Sequence, residues 1–298
     1  MLLASSAIVV GLVILVWGAD RFVMGAAALA RNFGISPLLI GLTIVGLGTS
    51  APEILVSAMA ALQGNPELAV GNAVGSNIAN IGLILGITAL VTPLLFKSTI
   101  LRSEYPILLG VSAFAFLLLS DGTLGFTDGI LMLLCLALCL AMLVRIARTR
   151  AATDPMSDEF DAEIRSDLST FAAVAWFLAG LALLLVSSRA LVWGAVQIAS
   201  TLGVSDLVIG LTIVAIGTSL PELATSVMSA LRNEPDIAVG NVIGSNIFNL
   251  LAVLCVPGLV ASTPISDAVL SRDLPVMLGL TLMLFLMGRG RNGDGHIN

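Results

Sequence analysis

Long apolar runs follow one another along this chain, and short segments between them carry most of the charges. Each run approaches the ~20 residues that an α-helix needs to cross a bilayer. None shows the alternation of apolar and polar residues typical of membrane β-strands. The pattern predicts an all-α polytopic membrane protein with nine visible transmembrane helices, numbered 1 to 9, over residues 2–25, 37–62, 68–94, 104–120, 125–147, 171–195, 206–231, 236–261 and 273–288.

Composition supports a membrane protein. Of the 298 residues, 58% are hydrophobic and only 11% are charged, against about 25% charged residues in soluble domains. This chain has too few polar residues for the hydrated surface that a soluble fold of its size needs. A soluble globular domain, a disordered chain and a nucleic-acid-binding protein are therefore excluded. The only histidine lies in the polar tail and the three cysteines lie in apolar runs, so we expect neither a histidine- or cysteine-based metal site nor a cofactor.

The basic residues predict the orientation. If the N-terminus faces outside, the inside segments hold all of the 13 Lys and Arg residues except Arg189 and Arg272. Such an excess is typical of cytoplasmic segments. Residues 148–170 are then a cytoplasmic linker, and its acidic residues are interpreted as a solvated connector.

The sequence is internally duplicated. Residues 40–83 align without a gap with residues 209–252 at an offset of 169, and 25 of the 44 positions are identical. Five helices in residues 1–147 precede the linker, so the second half, residues 171–298, enters the membrane from the opposite side. Inverted repeats with broken helices are the architecture of secondary transporters, whose site lies near the bilayer midplane.

Each repeat carries proline and glutamate in the middle of an apolar run. Proline lacks an N–H and clashes with the carbonyl four residues earlier, so Pro52 and Pro221 are predicted to break helices 2 and 7 and to free nearby carbonyls. Glu53 and Glu222 follow directly and are the only acidic residues deep in the runs. An unpaired carboxylate there costs several kcal/mol, and no deep Lys or Arg is available. A mobile cation must therefore visit them.

Other oxygen ligands surround these glutamates in sequence. Hydroxyl and amide residues at helical spacing on helices 3 and 8 face one side, and the motifs on helices 2 and 7 add more. Six to eight hard oxygens suit Ca²⁺, whose charge two carboxylates balance. The candidate ligands are Glu53, Glu222, Thr49, Ser50, Thr218, Ser219, Ser76, Ser245, Asn80, Asn249 and the carbonyls of Gly46 and Ala215. Four further asparagines are expected to hold the packed backbone: Asn72, Asn241, Asn77 and Asn246.

Two paired motifs carry a family resemblance. Gly-Thr-Ser-x-Pro-Glu begins at Gly48 and Gly217, and Gly-Asn-x-x-Gly-Ser-Asn-Ile begins at Gly71 and Gly240. They resemble the two alpha-repeats of the sodium/calcium exchanger family, within the cation/calcium antiporters, and in particular its small prokaryotic members. The resemblance implies a prokaryotic inner-membrane location, ten helices, and sliding of helices 1 and 6 as the gate.

The same resemblance implies a cluster of four cation sites at the midplane, with Glu53 and Glu222 as central ligands and Asn80 and Asn249 completing the middle. One side is expected to use Thr49, Ser50, Ser76 and the Gly46 carbonyl. The other side is expected to use Thr218, Ser219, Ser245 and the Ala215 carbonyl.

The chain departs from the family pattern twice. Asn249 stands where many relatives, including potassium-dependent ones, carry aspartate. In addition, the counterpart of helix 5 is expected to begin near residue 294, but the sequence ends at Asn298. Truncation and a natural nine-helix form both account for this.

These observations predict a transporter rather than an enzyme: an antiporter that exchanges Ca²⁺ for Na⁺ by alternating access, independently of potassium. A Ca²⁺/H⁺ antiporter that uses the same two glutamates is the main alternative. An intramembrane aspartyl protease needs paired aspartates that share a proton, and a cation channel does not need a closed midplane site. Both are less favoured.

Overall fold

The fold was examined in a computed structural model, which describes residues 1–97, 104–151, 168–203, 215–288 and 294–297. Helices α1 to α9 correspond to the nine predicted helices. They are α1 (Leu2–Phe33), α2 (37–62, interrupted at Ser50), α3 (Pro66–Val91), α4 (Tyr105–Leu119), α5 (Phe126–Ala151), α6 (Thr170–Thr201), α7 (described from Ala215 to Leu231, interrupted at Ser219), α8 (Pro235–Val260) and α9 (Val269–Met287).

The described helices confirm a helical membrane fold. Six are long and apolar enough to span a bilayer, and α2 makes a seventh if its two bent halves form one span. Helix α4 is shorter, with 15 residues, and the beginning of predicted helix 7 lies outside the described residues. The count of nine spans therefore stays a prediction, as does the conformation of most of the linker.

Helices α1 and α6 pack against each other along their length. Each has 32 residues, or about 48 Å at the rise of an α-helix, so both extend beyond their predicted ends. Helix α1 ends where Gly34 adopts φ 61°, a conformation that glycine tolerates without strain. Gly11 lies against Leu191, and Gly25 lies against Phe177.

Those contacts run in opposite directions along the two helices, so α1 and α6 are antiparallel. They are also the first helices of the two halves, and their glycines correspond at the repeat offset of 169: Gly11 matches Gly180, and Gly25 matches Gly194. Equivalent helices that cross the membrane in opposite directions are what inverted repeats require.

Two short antiparallel ladders, which the sequence pattern did not predict, join loops from opposite halves. Strand β1 (Leu94–Lys97) pairs with β4 (Asp294–Ile297), and β2 (Thr123–Leu124) pairs with β3 (Thr263–Pro264). Paired strands must lie on the same side of a membrane. In the predicted topology the first pair is inside and the second is outside, so the ladders agree with the predicted order of crossings.

Helix α8 lies at the centre of the bundle. Its most apolar segment is 83% buried, whereas that of the repeat-equivalent helix α3 is 50% buried. The first half of α2 packs closely on α8, because a Cβ at Gly244 would overlap the Leu42 backbone.

Candidate functional site

Both predicted helix breaks are present, two residues before each proline. Helix α2 bends by 49° between Gly41–Thr49 and Ala51–Leu62, and α7 is interrupted in the same way at Ser219. Pro52 is the second residue of the half-helix that follows its break. A proline is tolerated there because the first N–H groups of a helix have no intrahelical partner. The prolines therefore begin the second half-helices.

Each glutamate lies in the first turn after its break. Glu53 is 1% exposed and Glu222 is 2% exposed, so neither side chain is accessible to bulk water. The N-terminus of a helix carries partial positive charge and favours a carboxylate. Within the described part of the chain, no ion pair involves either glutamate.

The two repeats bind each other's glutamates. Ser50 Oγ donates to Glu222 Oε1 at 3.3 Å, and Ser219 Oγ donates to Glu53 Oε1 at 3.4 Å. The serine of each motif therefore holds the carboxylate of the other repeat, an arrangement that the sequence did not reveal.

Four other buried oxygens of the predicted site have no hydrogen-bond partner among the described residues. They are Glu53 Oε2, Glu222 Oε2, Asn80 Oδ1 and Asn249 Oδ1. Buried oxygens in proteins are normally hydrogen-bonded, and oxygen atoms of this kind are the ligands of hard cations. The described residues contain no cluster of three acidic, His or Cys side chains, so any cation site here combines two carboxylates with hydroxyl and amide oxygens.

Asn80 and Asn249 begin π-helical segments in the middle of α3 and α8. Such wider turns occur mostly at functional sites. Asn80 Nδ2 donates to Asn246 Oδ1 at 2.9 Å. This bond fixes the orientation of the Asn80 amide, whose oxygen has no partner among the described residues. Asn77 Nδ2 donates to the Asn246 carbonyl at 3.3 Å. The amides therefore join the two repeats beside the glutamates.

The division of the remaining ligands between two sides stays a prediction, and Ser245 is the residue whose hydrogen bonds group it differently. Ser245 Oγ lies 3.4 Å from Thr49 Oγ1 and donates to the Gly46 carbonyl at 3.5 Å, so Ser245 belongs with the first repeat's group. The Gly46 carbonyl is also not freed, since it accepts the Ser50 amide at 3.0 Å. In α7 the Ser219 amide donates instead to the Ile216 carbonyl, at 3.2 Å. Ala215 is the first residue described in the first half of α7.

Two asparagines hold the backbone of the glutamates, as expected. Asn72 Nδ2 donates to the Glu53 carbonyl at 3.2 Å and to Ser57 Oγ at 3.0 Å. Asn241 Nδ2 makes the equivalent bonds to Glu222 and Ser226, at 3.3 and 3.0 Å. Sequence reasoning missed the two serines, although each lies one helical turn after its glutamate in both repeats. Ser76 is also buried, at 6% exposure.

Known proteins share this sequence and architecture. The family model of the sodium/calcium exchanger protein matches residues 4–145 and 172–290, which is most of the chain. The chain belongs to the sodium/calcium exchanger family. The match covers both halves and leaves out the linker, in agreement with the duplicated motifs and their reciprocal contacts.

Relatives that match along most of their length carry related names. The putative antiporter CaxA of Alkalimonas amylolytica is 51% identical over 96% of this chain and 90% of its own length. The sodium/calcium exchanger MaX1 of Methanosarcina acetivorans is 31% identical over 94% of this chain and 89% of its own length.

A solved structure of the sodium-calcium exchanger NCX_Mj, soaked with Na⁺ and Sr²⁺, has the same fold. It superposes with a TM-score of 0.84 at 35% identity, over 97% of this chain and 91% of that protein. The helical bundle of inverted repeats is therefore shared with a sodium-calcium exchanger over nearly its full length.

Proposed function

We propose that this protein exchanges Ca²⁺ for Na⁺ across the membrane by alternating access, with Glu53 and Glu222 as the shared ligands. The observation that carries the proposal is a pair of fully buried carboxylates, each with one hydrogen-bonded and one unpartnered oxygen. Burying such charges without a counter-ion is costly. Cations supply that charge, and Ca²⁺ and Na⁺ compete because they need the same oxygens.

The other residues have distinct proposed roles. Ser50 and Ser219 orient the carboxylates of the opposite repeat, and the unpartnered amide oxygens of Asn80 and Asn249 complete the midplane site. Thr49, Ser245 and the Gly46 carbonyl provide a second oxygen group on one side; Ser76, Thr218 and the Ala215 carbonyl complete the set. With asparagine at 249, two negative charges neutralise one Ca²⁺, so exchange needs no potassium.

Sodium is favoured over protons as the counter-ion. Two buried carboxylates can trade a divalent cation for protons as well as for sodium, so the residues alone leave both open. The family and the exchanger relatives named above support sodium.

The deciding experiment measures ⁴⁵Ca²⁺ uptake by proteoliposomes of the purified protein. An outward Na⁺ gradient at clamped pH is expected to drive uptake, with and without K⁺. A pH gradient without Na⁺ is expected to drive none. Uptake that follows the pH gradient alone would establish the proton antiporter instead.

We also propose that the N-terminus faces outside and the linker faces the cytoplasm of a prokaryotic inner membrane. The bias of the basic residues supports this orientation. Single cysteines at Asp158→Cys in the linker and Asp121→Cys in the loop after α4, in a chain with Cys135, Cys139 and Cys255 replaced, test it in intact cells. An impermeant maleimide is expected to label only the second site; labelling of only the first would reverse the assignment.

A further inference from the structure

The second half of α7 carries a polar face that continues beyond the cation site. Thr225, Ser226 and Ser229 follow Glu222 at intervals of three, four and seven residues, so all four lie on the same face of the helix. All three hydroxyl residues are fully buried. At 1.5 Å per residue, this face extends about 10 Å from Glu222 toward the end of α7.

Two of these hydroxyls have no hydrogen-bond partner within the part of the chain that the structure describes. Thr225 Oγ1 and Ser229 Oγ are both buried and unpartnered, whereas Ser226 Oγ accepts Asn241 Nδ2. Hydroxyls in membrane helices commonly bond to the carbonyl four residues earlier, as Thr88 and Ser112 do here at 2.7 and 2.8 Å. Thr225 and Ser229 do not make that bond.

The face ends next to the membrane surface, in the last turn of α7. The Ser229 carbonyl accepts the Glu234 amide at 2.8 Å, so Ser229 lies where the helix ends, although its side chain is still buried. This end also meets the C-terminal part of α1, because Arg31 forms an ion pair with Glu234. The polar face therefore runs from the buried Glu222 to within one turn of one surface of the protein.

The first repeat lacks the two unpartnered hydroxyls. At the repeat offset, Thr225 corresponds to Val56 and Ser229 corresponds to Ala60, whereas Ser226 corresponds to Ser57. The serine pair is accounted for by the asparagines that hold it. The hydroxyls of Thr225 and Ser229 are thus a feature of one half only, and neither supports the packing around it by a hydrogen bond.

We propose that Thr225 and Ser229 line a passage in which a partly hydrated Na⁺ pauses between Glu222 and the surface at which α7 ends. Their oxygens replace water ligands that the ion loses as it enters the bundle. The two groups are neutral, so they suit a monovalent cation better than Ca²⁺, which depends on charged ligands for affinity. This inference rests on the exchange activity proposed above. It adds that sodium needs these two hydroxyls at one membrane face only.

The test uses the full-length protein in right-side-out and everted membrane vesicles, with Na⁺ varied on one face at a time. The variant Thr225→Val/Ser229→Ala gives α7 the residues that α2 has at the equivalent positions. We expect the half-saturating Na⁺ concentration to rise at least fivefold at the face where α7 ends. At the opposite face, and for Ca²⁺ at both faces, we expect values within twofold of wild type.

Two further variants complete the design. Ser112→Ala removes a buried hydroxyl that is bonded within α4 and is expected to leave all four constants unchanged. Thr225→Ser keeps a hydroxyl and is expected to retain wild-type sodium dependence, which also covers the case in which the double variant fails to assemble. In that case Thr225→Val alone is compared with Thr225→Ser.

The outcomes separate this inference from the function on which it rests. If wild-type vesicles show no Na⁺-driven Ca²⁺ flux, the proposed exchange is wrong, and the passage falls with it. If wild type exchanges but the valine variants leave both sodium constants unchanged, or change them equally at both faces, the passage alone is wrong.

Discussion

At the scale of single residues, each carboxylate of the site is held at one oxygen and open at the other. The held oxygen accepts a neutral hydroxyl from the other repeat, which fixes its direction without cancelling its charge. Two ionised carboxylates in one buried site repel each other, and a shared cation would remove that repulsion. The arrangement therefore supports the proposed competition of Ca²⁺ and Na⁺ for the same two carboxylates.

Replacing either glutamate by glutamine should abolish exchange. Glu53→Gln and Glu222→Gln keep the shape but remove one of the two charges that balance Ca²⁺, so we expect transport to fall by about 100-fold or more. Sodium-driven ⁴⁵Ca²⁺ flux measures the loss, and size-exclusion chromatography in detergent checks that each variant stays folded. Substantial flux in either folded variant would contradict the assignment of the central ligands.

Asn249→Asp should change the ion dependence rather than remove transport. A third carboxylate would leave one negative charge unbalanced when Ca²⁺ is bound, at a cost of a few kcal/mol, and a co-bound K⁺ or proton would offset it. We expect wild-type flux to be the same with and without K⁺, and the variant to need K⁺ or a lower pH. A potassium requirement in the wild-type protein would show that charge counting at residue 249 is the wrong explanation.

At the scale of elements, the contact between α1 and α6 depends on glycine. A Cβ at Gly180 would overlap the backbone of Phe22, and the rings of Phe22 and Phe177 stack beside it with centroids 4.7 Å apart. A side chain placed between α1 and α6 would separate the two helices.

Gly180→Ala should therefore destabilise the protein, by roughly the 1–3 kcal/mol typical of overpacked interiors. The matched control is Gly110→Ala in α4, where a Cβ would have no atom of the described residues within 4 Å and where alanine favours the helix. Thermal unfolding in detergent is expected to show a lower melting temperature for the first variant only. Equal melting temperatures would mean that α1 and α6 do not need this close approach.

At the scale of the whole molecule, the two repeats carry equivalent residues at the site but different residues at one surface. Arg232 lies 2.5 Å from Asp20, and Arg31 pairs with Glu234, so two ion pairs tie α1 to the loop between α7 and α8. The first repeat has Gln63 and Asn65 at the positions of Arg232 and Glu234. The two faces of the protein are therefore held together differently.

The sequence predicted the helices, the breaks and the glutamates, because apolar length, proline and buried charge have strong local signals. It could not predict which repeat's serine donates a hydrogen bond to which carboxylate, since both repeats carry the same residues. Nor could it predict the pairs of Asp20 with Arg232 and of Arg31 with Glu234, which join residues about 200 positions apart. Contacts of this kind depend on packing rather than on a local pattern.

Removing the one-sided ion pairs should shift the balance between the two access states. Partly exposed pairs contribute up to about 1 kcal/mol each, so Arg232→Gln/Glu234→Asn, which copies the first repeat, is expected to shift the balance about three- to tenfold. The ratio of half-saturating Na⁺ at the two membrane faces measures it. Gln63→Asn, on the opposite surface, serves as the control, and an unchanged ratio in the double variant would contradict the prediction.

Mildly acidic pH should have the same effect as removing the ion pair between Arg31 and Glu234. Burial raises the pKa of Glu234 above its usual range, and nearby Asp236 adds to this, although Arg31 and Arg232 oppose it. Because the pKa is raised, the carboxyl takes up a proton at a less acidic pH than an exposed glutamate and then loses its ion pair. As the pH falls, the ratio of half-saturating Na⁺ at the two membrane faces in wild type should therefore approach the ratio in Glu234→Asn. The ratio in that variant should stay constant.

The reciprocal hydroxyl contacts also have a consequence for how the chain is made. Glu53 enters the membrane when only the first half has been synthesised, and its partner Ser219 lies 166 residues later. Until α7 is inserted, the carboxyl has no serine from the other repeat, and its charged form is costly at that depth. The proposed cation site is thus complete only after the second half has been inserted, and the first half alone cannot contain it.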